Sequence, residues 1–262
     1  MREAVIVEAL RTPFSKARPI TGDLTGLHPT QLLAKAMDGV IEKAGIDPTL
    51  VEQVIGGCVT QAGEQAGNVT RHAWLSRNKG YATGGTTVDT QCGSGQQANH
   101  IASAFVKAGS MDIGIACGVE MLSHVGLGMN VINGPGFFLP ADWSWDSQLD
   151  QFAAAERVAK DRGITREETD QFGLRSQELA IRANDEGRFK NEIIPVDAPI
   201  LGEDGKPTGE TRLIDSDNGL RKSNLETLAG LKTVREGGIH TAGTSSQLTD
   251  GAAAVLWMSA EK

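Results

Sequence analysis

The sequence predicts a layered α/β fold in which helices pack against a mixed sheet. Two observations favour this class: short β-branched runs alternate with helical segments in the first half, and no repeat period or low-complexity segment is visible. With 262 residues, of which 39% are hydrophobic, the chain is long enough to bury a core as one large domain or two small ones.

The first half is predicted to alternate strands with helices. A helix over about residues 29–44 follows from apolar residues at helical spacing, with Pro29 near its start and Gly45 just after its end. The predicted strands are residues 4–9, 51–55, 86–90 and 112–118, and the other helices are 64–76 and 93–108.

The second half is predicted to leave the core and return to it. Glycine, proline and aromatic residues crowd residues 126–145 without a period. Helices are then predicted over 150–161 and 165–184, the second with a capping box of Thr165 and Glu168. A short strand at 192–196, a turn at 205–207 within a polar stretch, and an apolar run at 252–258 complete the pattern.

Cys92 is the candidate nucleophile because it lies where a β-branched strand meets a helix of small residues. A cysteine at the first turn of a helix faces unpaired backbone N–H groups and the positive end of the helix dipole, which favour the thiolate. Gly93 and Gly95 let the backbone approach the oxyanion of an attacked carbonyl closely. This pattern indicates acyl transfer, whereas a buried structural cysteine is the alternative.

The other cysteines predict neither disulfides nor a metal site. There are three cysteines in all, an odd number without a CxxC spacing. Cys58 and Cys117 lie in apolar, strand-like runs and are predicted to be buried structural residues.

Charge and hydropathy exclude several partner classes. The net charge of −8 disfavours nucleic acid, and no apolar stretch is long enough to span a bilayer. The first residues lack a secretory signal pattern, so we expect a cytoplasmic protein. Candidates for binding phosphates are Arg221, Lys222, Lys232 and Arg235, although a solvated basic surface is the alternative.

The segment Val88-Asp-Thr-Gln-Cys-Gly-Ser-Gly-Gln-Gln-Ala98 closely resembles the nucleophile segment of the thiolases. Further segments resemble the same family in order along the chain: Arg11-Thr-Pro-Phe-Ser-Lys16, Val54-Ile-Gly-Gly-Cys-Val-Thr-Gln61, Ile115-Ala-Cys-Gly-Val-Glu-Met-Leu-Ser123 and Thr241-Ala-Gly-Thr-Ser-Ser-Gln-Leu-Thr-Asp-Gly-Ala-Ala-Ala254. The resemblance covers essentially the whole chain. It implies the amino-terminal half of a thiolase, with one βαβαβ-type core and an inserted loop domain.

The resemblance also implies boundaries and binding residues. The core is expected at residues 1–120 and 240–262 and the loop domain at 121–239, without the family's carboxy-terminal domain. Cys92 is implied as the nucleophile, and Thr227, Ala242, Gly243 and Ser246 as contacts of coenzyme A. Coenzyme A and acetyl-CoA are implied as substrates, with no tightly bound cofactor and no metal.

In this family the cysteine attacks the 3-keto carbon of a 3-oxoacyl-CoA, and coenzyme A then removes the acyl group; the reverse sequence is a Claisen condensation. The resemblance assigns the catalytic histidines and a second cysteine to the other half, in Asn-Glu-Ala-Phe, Gly-His-Pro and Cys-X-Gly motifs that do not occur here. Accordingly none of the five histidines is predicted as the base: His28, His72, His100, His124 and His240. A homodimer, a homotetramer or a separate carboxy-terminal half is the expected partner.

The segments 125–128, 151–157 and 238–247 look most similar to actinobacterial thiolases that act on bulky or sterol-derived 3-oxoacyl-CoA. Trp143 and Trp145 are candidates to cover such an acyl group, with exposed or interface-packed aromatic residues as the alternative. Two other functional readings remain: a non-catalytic thiolase-like subunit or interaction module, and an unrelated cysteine hydrolase.

Overall fold

A mixed sheet flanked by helices organises the chain in the computed structural model, which describes residues 2–77, 80–132, 134–148 and 150–262. The strands are β1 (Ala4–Arg11), β2 (Ser15–Lys16), β3 (Gln53–Gly57), β4 (Gly84–Val88), β5 (Ile113–Met121), β6 (Val196–Leu201), β7 (Pro207–Ile214) and β8 (Thr249–Ser259). The helices are α1 (Pro29–Ala44), α2 (Val69–Leu75), α3 (Ser94–Ala108), α4 (Met129–Ile132), α5 (Gln151–Arg162), α6 (Arg166–Asp185) and α7 (Leu225–Ala229). No helix in these ranges is long and apolar enough to cross a membrane.

The main sheet has the strand order β1-β8-β5-β3-β4, with β2 paired to β8. Strands β3, β4 and β5 run parallel, as expected for strands joined by the crossover helices α2 and α3, whereas β8 is antiparallel to both of its neighbours. The predicted α/β class with a mixed sheet is therefore confirmed.

Alternation along the strands divides the buried residues between the two faces of the sheet. On β3, for example, Val54 packs into the core beneath α1 and α2, and the next residue, Ile55, packs into the smaller core beneath α3. On β8, Leu256 and Trp257 divide in the same way. Because both faces are covered, the central strands read as almost continuous apolar runs.

Helix α1 illustrates how local signals set the element bounds. His28 is its N-cap and forms a capping box with Gln31, and Pro29 occupies the first helical position. Gly45 ends the helix in the left-handed conformation with φ 66°.

The chain divides into two compact units. The first comprises Met1–Gly134, Lys190–Asn218 and Leu248–Lys262, and the second comprises Pro135–Phe189 and Gly219–Gln247. The first contains the main sheet and the β6–β7 hairpin, and the second contains α5, α6 and α7. The division expected from the sequence, with a loop domain at 121–239, stays a prediction; the compact units differ from it chiefly by placing residues 190–218 with the sheet.

The predicted helix at 64–76 is wrong in its first part. The structure has a single 3-10 turn at Gly63–Gln65, and α2 begins only at Val69. Gly67 and Asn68 both adopt positive φ, and the Asn68 side chain accepts a hydrogen bond from the N–H of Arg71, so a new helix is capped there.

The strand predicted at 192–196 is displaced along the chain. Strand β6 covers Val196–Leu201 and pairs with β7, a strand that the polar composition of residues 199–236 did not indicate. The predicted turn at 205–207 joins the two strands. Only Ile214 of β7 is buried, so the strand lacks the apolar alternation by which sequence analysis detects strands.

Candidate active site

Cys92 is exposed and lies in the turn between β4 and α3. Helix α3 begins at Ser94 with Gly93 as its N-cap, so the cysteine lies just before the first turn rather than within it. The strand-to-helix position predicted for Cys92 is thus present in the fold.

Hydrogen bonds between residues close in sequence hold this turn. The N–H of Gly93 donates to the carbonyl of Thr90 at 3.1 Å, and the N–H of Ser94 donates to the carbonyl of Gln91 at 3.0 Å. The Asp89 carboxylate accepts the N–H of Gln91 at 2.7 Å. Gln91 has φ 53°, which is uncommon for a residue other than glycine, so the residue before the candidate nucleophile is held in a strained conformation.

The beginning of α3, three and four positions after Cys92 along the chain, carries N–H groups for which no described residue provides an acceptor. Gly93 provides no side-chain cap, and its carbonyl accepts the N–H of Gln97 at 2.8 Å. The N–H groups of Gly95 and Gln96 find no acceptor within the described part of the chain. Unpaired N–H groups at a helix start favour negative charge nearby, such as a thiolate or a carbonyl oxyanion.

The other two cysteines are buried, as predicted. Burial, with smaller contributions from Glu120 and Asp89, raises the pKa of the Cys58 thiol to about 12. Burial likewise raises the pKa of the Cys117 thiol. Both thiols therefore stay protonated at neutral pH. Since both are also buried, Cys92 is the solvent-accessible thiol of the three.

Three histidines of the first unit make hydrogen bonds within the fold. The ring of His124 lies 2.7 Å from a Glu64 carboxylate oxygen through Nδ1 and 2.7 Å from the Thr25 carbonyl through Nε2. His28 caps α1, and His100 contacts Gln96 on the exposed side of α3. Across the described ranges, no group of three or more His, Cys, Asp or Glu residues could hold a metal ion.

The predicted coenzyme A loop lies in the second unit and is built around Thr241. This residue is fully buried; its hydroxyl accepts the N–H of Gly243 at 3.1 Å, and its N–H donates to the Thr244 hydroxyl at 2.9 Å. Ala242 and Ser246 are exposed. The loop is therefore fixed from within and presents these two predicted contact residues to solvent.

Helix α7 brings Thr227 into the same unit as this loop. Asn224 caps the helix by accepting the N–H of Thr227 at 2.8 Å, and Thr227 itself is exposed. The buried Leu228 packs on Gly243, where a Cβ atom would approach Leu228 Cδ2 to 2.6 Å. A side chain at 243 would therefore push the end of the Leu228 side chain aside, and glycine allows the close packing without that shift.

Glu156 of α5 supports the segment that enters the loop. Its carboxylate accepts the N–H groups of Ile239 and His240, each at 3.0 Å. A Cβ atom on Gly238 would lie 2.4 Å from Glu156 Oε1, so glycine makes room for the carboxylate. Burial raises the pKa of Glu156, but the hydrogen bonds from His240 and Ile239 outweigh it and hold the pKa below its usual range.

The basic candidates divide into two groups. Arg235 is paired with Asp150 at 2.8 Å. Arg221 and Lys222 line an open cavity of about 590 Å³ whose other wall is α6, and the Arg221 guanidinium donates to the carbonyl of Ala242 at 3.3 Å. The structure thus brings Arg221 next to the predicted loop.

Sequence reasoning assigned no role to Ser94 or Glu156. Ser94 stands in the nucleophile segment, but only the structure shows that its side chain is buried, with 4% exposed. Glu156 contacts residues 83 and 84 positions further along the chain, and no local pattern encodes such a contact.

The thiolase N-terminal domain family matches residues 4–261. The chain is 38% identical over 265 residues to the steroid 3-ketoacyl-CoA thiolase FadA6 of Mycobacterium tuberculosis, covering 98% of this chain and 62% of that protein. It is 37% identical to a 3-ketoacyl-CoA thiolase of Marinobacter nauticus and 38% identical to one of Stutzerimonas stutzeri, covering all of this chain and 65% of each relative. The chain therefore spans just under two thirds of the length of these relatives. Because the domain match includes nearly every residue, the chain belongs to the thiolase family and corresponds to its amino-terminal domain.

Proposed function

We propose that this chain carries the nucleophile and the coenzyme A loop of a thiolase-type acyltransferase. The observation that carries the proposal is the family match over residues 4–261 together with an exposed Cys92 next to unpaired N–H groups of α3. Cys92 is the nucleophile, and the exposed residues Ala242, Ser246 and Thr227 contact coenzyme A with Gly243.

In the proposed reaction, the Cys92 thiolate attacks the 3-keto carbon of a 3-oxoacyl-CoA. The bond between C2 and C3 then breaks, leaving an acyl thioester on Cys92 and the enolate of acetyl-CoA, which takes up a proton. The thiol of free coenzyme A next attacks the thioester, and a new acyl-CoA leaves as the Cys92 sulfur is released. The N–H groups of Gly95 and Gln96 are suited to stabilise an oxyanion beside Cys92.

Proton transfer and the remaining donors are assigned to a carboxy-terminal half. The family match to an amino-terminal domain supports such a partner. Strand β4 ends the main sheet, and its outer edge pairs with no other strand among the described residues. A free strand edge supports a homodimer formed by strand addition. The proposal also includes a homotetramer as an alternative assembly and a cytoplasmic location.

Coenzyme A acts in this proposal as a substrate that comes and goes. Arg221 and Lys222 support binding of its phosphates, because guanidinium and ammonium groups form charge-assisted hydrogen bonds with phosphate oxygens. The carboxylates of Glu178, Asp185 and Glu186 line the same cavity and oppose this binding.

For the acyl group we propose a bulky or sterol-derived chain. The name of the Mycobacterium relative supports this choice. Trp143 and Trp145 are both exposed, which agrees with the alternative of solvent-exposed aromatic residues and does not support an acyl-covering role.

Thiolysis tests the proposal directly. The chain, alone and mixed with the separately produced carboxy-terminal third of the Marinobacter relative, is given coenzyme A with acetoacetyl-CoA or with a bulky 3-oxoacyl-CoA. We expect turnover in the mixture and faster turnover of the bulky substrate. Cys92→Ala should abolish turnover, whereas Cys58→Ala should retain it in protein that circular dichroism shows to be folded, since Cys58 is buried.

The same experiment can overturn the proposal. Turnover that survives Cys92→Ala would remove the nucleophile assignment. If folded chain and folded carboxy-terminal half bind each other but show no turnover with either substrate, the non-catalytic subunit is the better description. Equal rates for the two substrates would remove only the acyl-group preference.

A further inference from the structure

We propose that Ser94 is a positioning residue for Cys92, because its buried hydroxyl locks the backbone turn that presents the cysteine. The inference rests on the proposed function only in taking Cys92 as the nucleophile. Ser94 would not touch the substrate; it would act through the conformation of the turn.

The Ser94 hydroxyl bridges two backbone groups that precede Cys92. It donates to the carbonyl of Gln91 at 2.6 Å and accepts the N–H of Thr90 at 3.0 Å. Ser94 is only 4% exposed, although Cys92 two residues earlier is exposed. The hydroxyl therefore replaces water as the partner of both backbone groups and closes the turn from its inner side.

The turn requires such a lock because one of its residues is strained. Gln91 has φ 53°, a left-handed conformation that is strained for a residue other than glycine. Its N–H is held by Asp89 and its carbonyl by Ser94, so both peptide groups of Gln91 are fixed. Without the hydroxyl, the N–H of Thr90 loses its acceptor and the Gln91 carbonyl keeps only the N–H of Ser94 at 3.0 Å. The turn is then less constrained at Gln91, and Cys92 would move with it.

The lock is itself anchored to the sheet. Gly57 of β3 lies against the beginning of α3, where a Cβ atom would approach the Ser94 carbonyl carbon to 2.4 Å and the Gly95 nitrogen to 2.5 Å. These are backbone atoms that cannot move aside cheaply. Ser94 is thus pressed between the sheet and the turn, which distinguishes it from a serine that caps an exposed helix.

The functional consequence concerns the sulfur of Cys92. Cys92 meets an electrophile in a fixed orientation only while the turn holds its backbone in place. Loosening the turn should therefore slow the alkylation of Cys92 in protein that is still folded. A purely structural serine would change stability without changing the alkylation rate of the folded protein.

The test is the rate of alkylation of each cysteine by iodoacetamide across a range of pH, followed by peptide mass spectrometry on the full chain. In Ser94→Ala we expect Cys92 to react roughly five- to tenfold more slowly across the pH range, the effect of losing one or two hydrogen bonds. The matched control is Ser103→Ala in the same helix, whose hydroxyl bonds, within the described part of the chain, to the carbonyl of His100 alone. It should stay within about twofold of the native rate.

A second variant keeps the test decisive. Gln91→Gly relieves the strain, since glycine adopts positive φ readily. In the Ser94→Ala background it should restore most of the alkylation rate. Buried Cys58 and Cys117 serve as internal monitors, because they become reactive only if the fold opens.

The outcomes separate this inference from the proposed function. If Ser94→Ala is folded and its Cys92 reacts at the native rate, Ser94 does not position the cysteine. If Ser94→Ala and the double variant both expose Cys58 and Cys117, Ser94 serves the fold as a whole and the inference falls. If native Cys92 reacts no faster than the two buried cysteines, the nucleophile assignment itself fails.

Discussion

Removing the carboxylate of Glu156 should disorganise the predicted coenzyme A loop. This carboxylate accepts the N–H groups of Ile239 and His240 at 3.0 Å, immediately before the loop begins at Thr241. In Glu156→Ala both N–H groups lose their acceptor. Because the side chain is only partly buried, water can replace part of what is lost.

The magnitude follows from the type of hydrogen bond. A bond to a charged group contributes about 1.5–3 kcal/mol when buried, and partial exposure places these two bonds toward or below the lower end. We therefore expect Glu156→Ala to lower the free energy of unfolding by about 2 kcal/mol. Glu156→Gln keeps an oxygen acceptor but loses the charge, and should cost about 1 kcal/mol.

Coenzyme A binding gives the functional readout, measured by calorimetry on the full chain. If the loop must be reordered when coenzyme A binds, 2 kcal/mol corresponds to a loss of affinity of roughly 30-fold at most. The matched control is Glu236→Ala, which removes an exposed carboxylate from the same segment and should leave affinity within about twofold. Equal affinities for Glu156→Ala and native protein, with native stability, would refute the reasoning.

The pH dependence provides an independent check. The pKa of Glu156 is lowered from its ordinary value of 4.5, so its stabilising contribution is fully present above that value and is lost as pH falls through the lower folded-state pKa. The stability difference between native protein and Glu156→Gln should therefore be constant near neutral pH and shrink in acid. A difference that grows in acid would contradict the assignment.

Three further predictions concern other parts of the chain. The raised pKa of Cys58, about 12, predicts that this thiol resists alkylation in folded protein until denaturant is added, as thiol mass mapping would show. Thr165→Ala, which removes the side-chain half of the capping box with Glu168, should lower the free energy of unfolding by about 1 kcal/mol in urea titrations. Burial raises the pKa of Asp250 above 3.8, so its charge opposes folding at neutral pH. Asp250→Asn keeps the acceptor for the N–H of Ser123 and should unfold at an equal or higher urea concentration than the native protein near neutral pH. This advantage should disappear in acid, where Asp250 is protonated.

The nucleophile turn could be predicted from the sequence because its contacts are short-range. The change from β-branched to small residues marks the border between β4 and α3, and the hydrogen bonds of the turn join residues at most four positions apart. The capping boxes of α1 and α6 are local in the same sense. Local chemistry decides such features, and tertiary packing only preserves them.

The features that sequence reasoning missed depend on distant partners. Strand β7 is exposed along most of its length and is a strand because β6 pairs with it, so it carries no apolar alternation of its own. The late start of the helix predicted at 64–76 reflects its N-cap Asn68, whose side chain also accepts a hydrogen bond from the hydroxyl of Thr87 on β4. In both places long-range pairing overrides local propensity.

The same distinction separates the motifs of this chain from the residues that hold them. Cys92 and Ser246 are recognisable because they stand in runs typical of the family, but Gly57 lies 37 positions before Ser94 and Glu156 lies 83 positions before Ile239. Gly57 acts by lacking a side chain, and Glu156 acts on backbone N–H groups that every residue but proline carries. Neither contact constrains which side chain stands at Cys92 or Ser246, so a substitution at Gly57 or Glu156 would impair the site while leaving the runs around Cys92 and Ser246 intact. The residues most informative about how this chain works are therefore those whose geometry, rather than sequence pattern, ties them to the motifs.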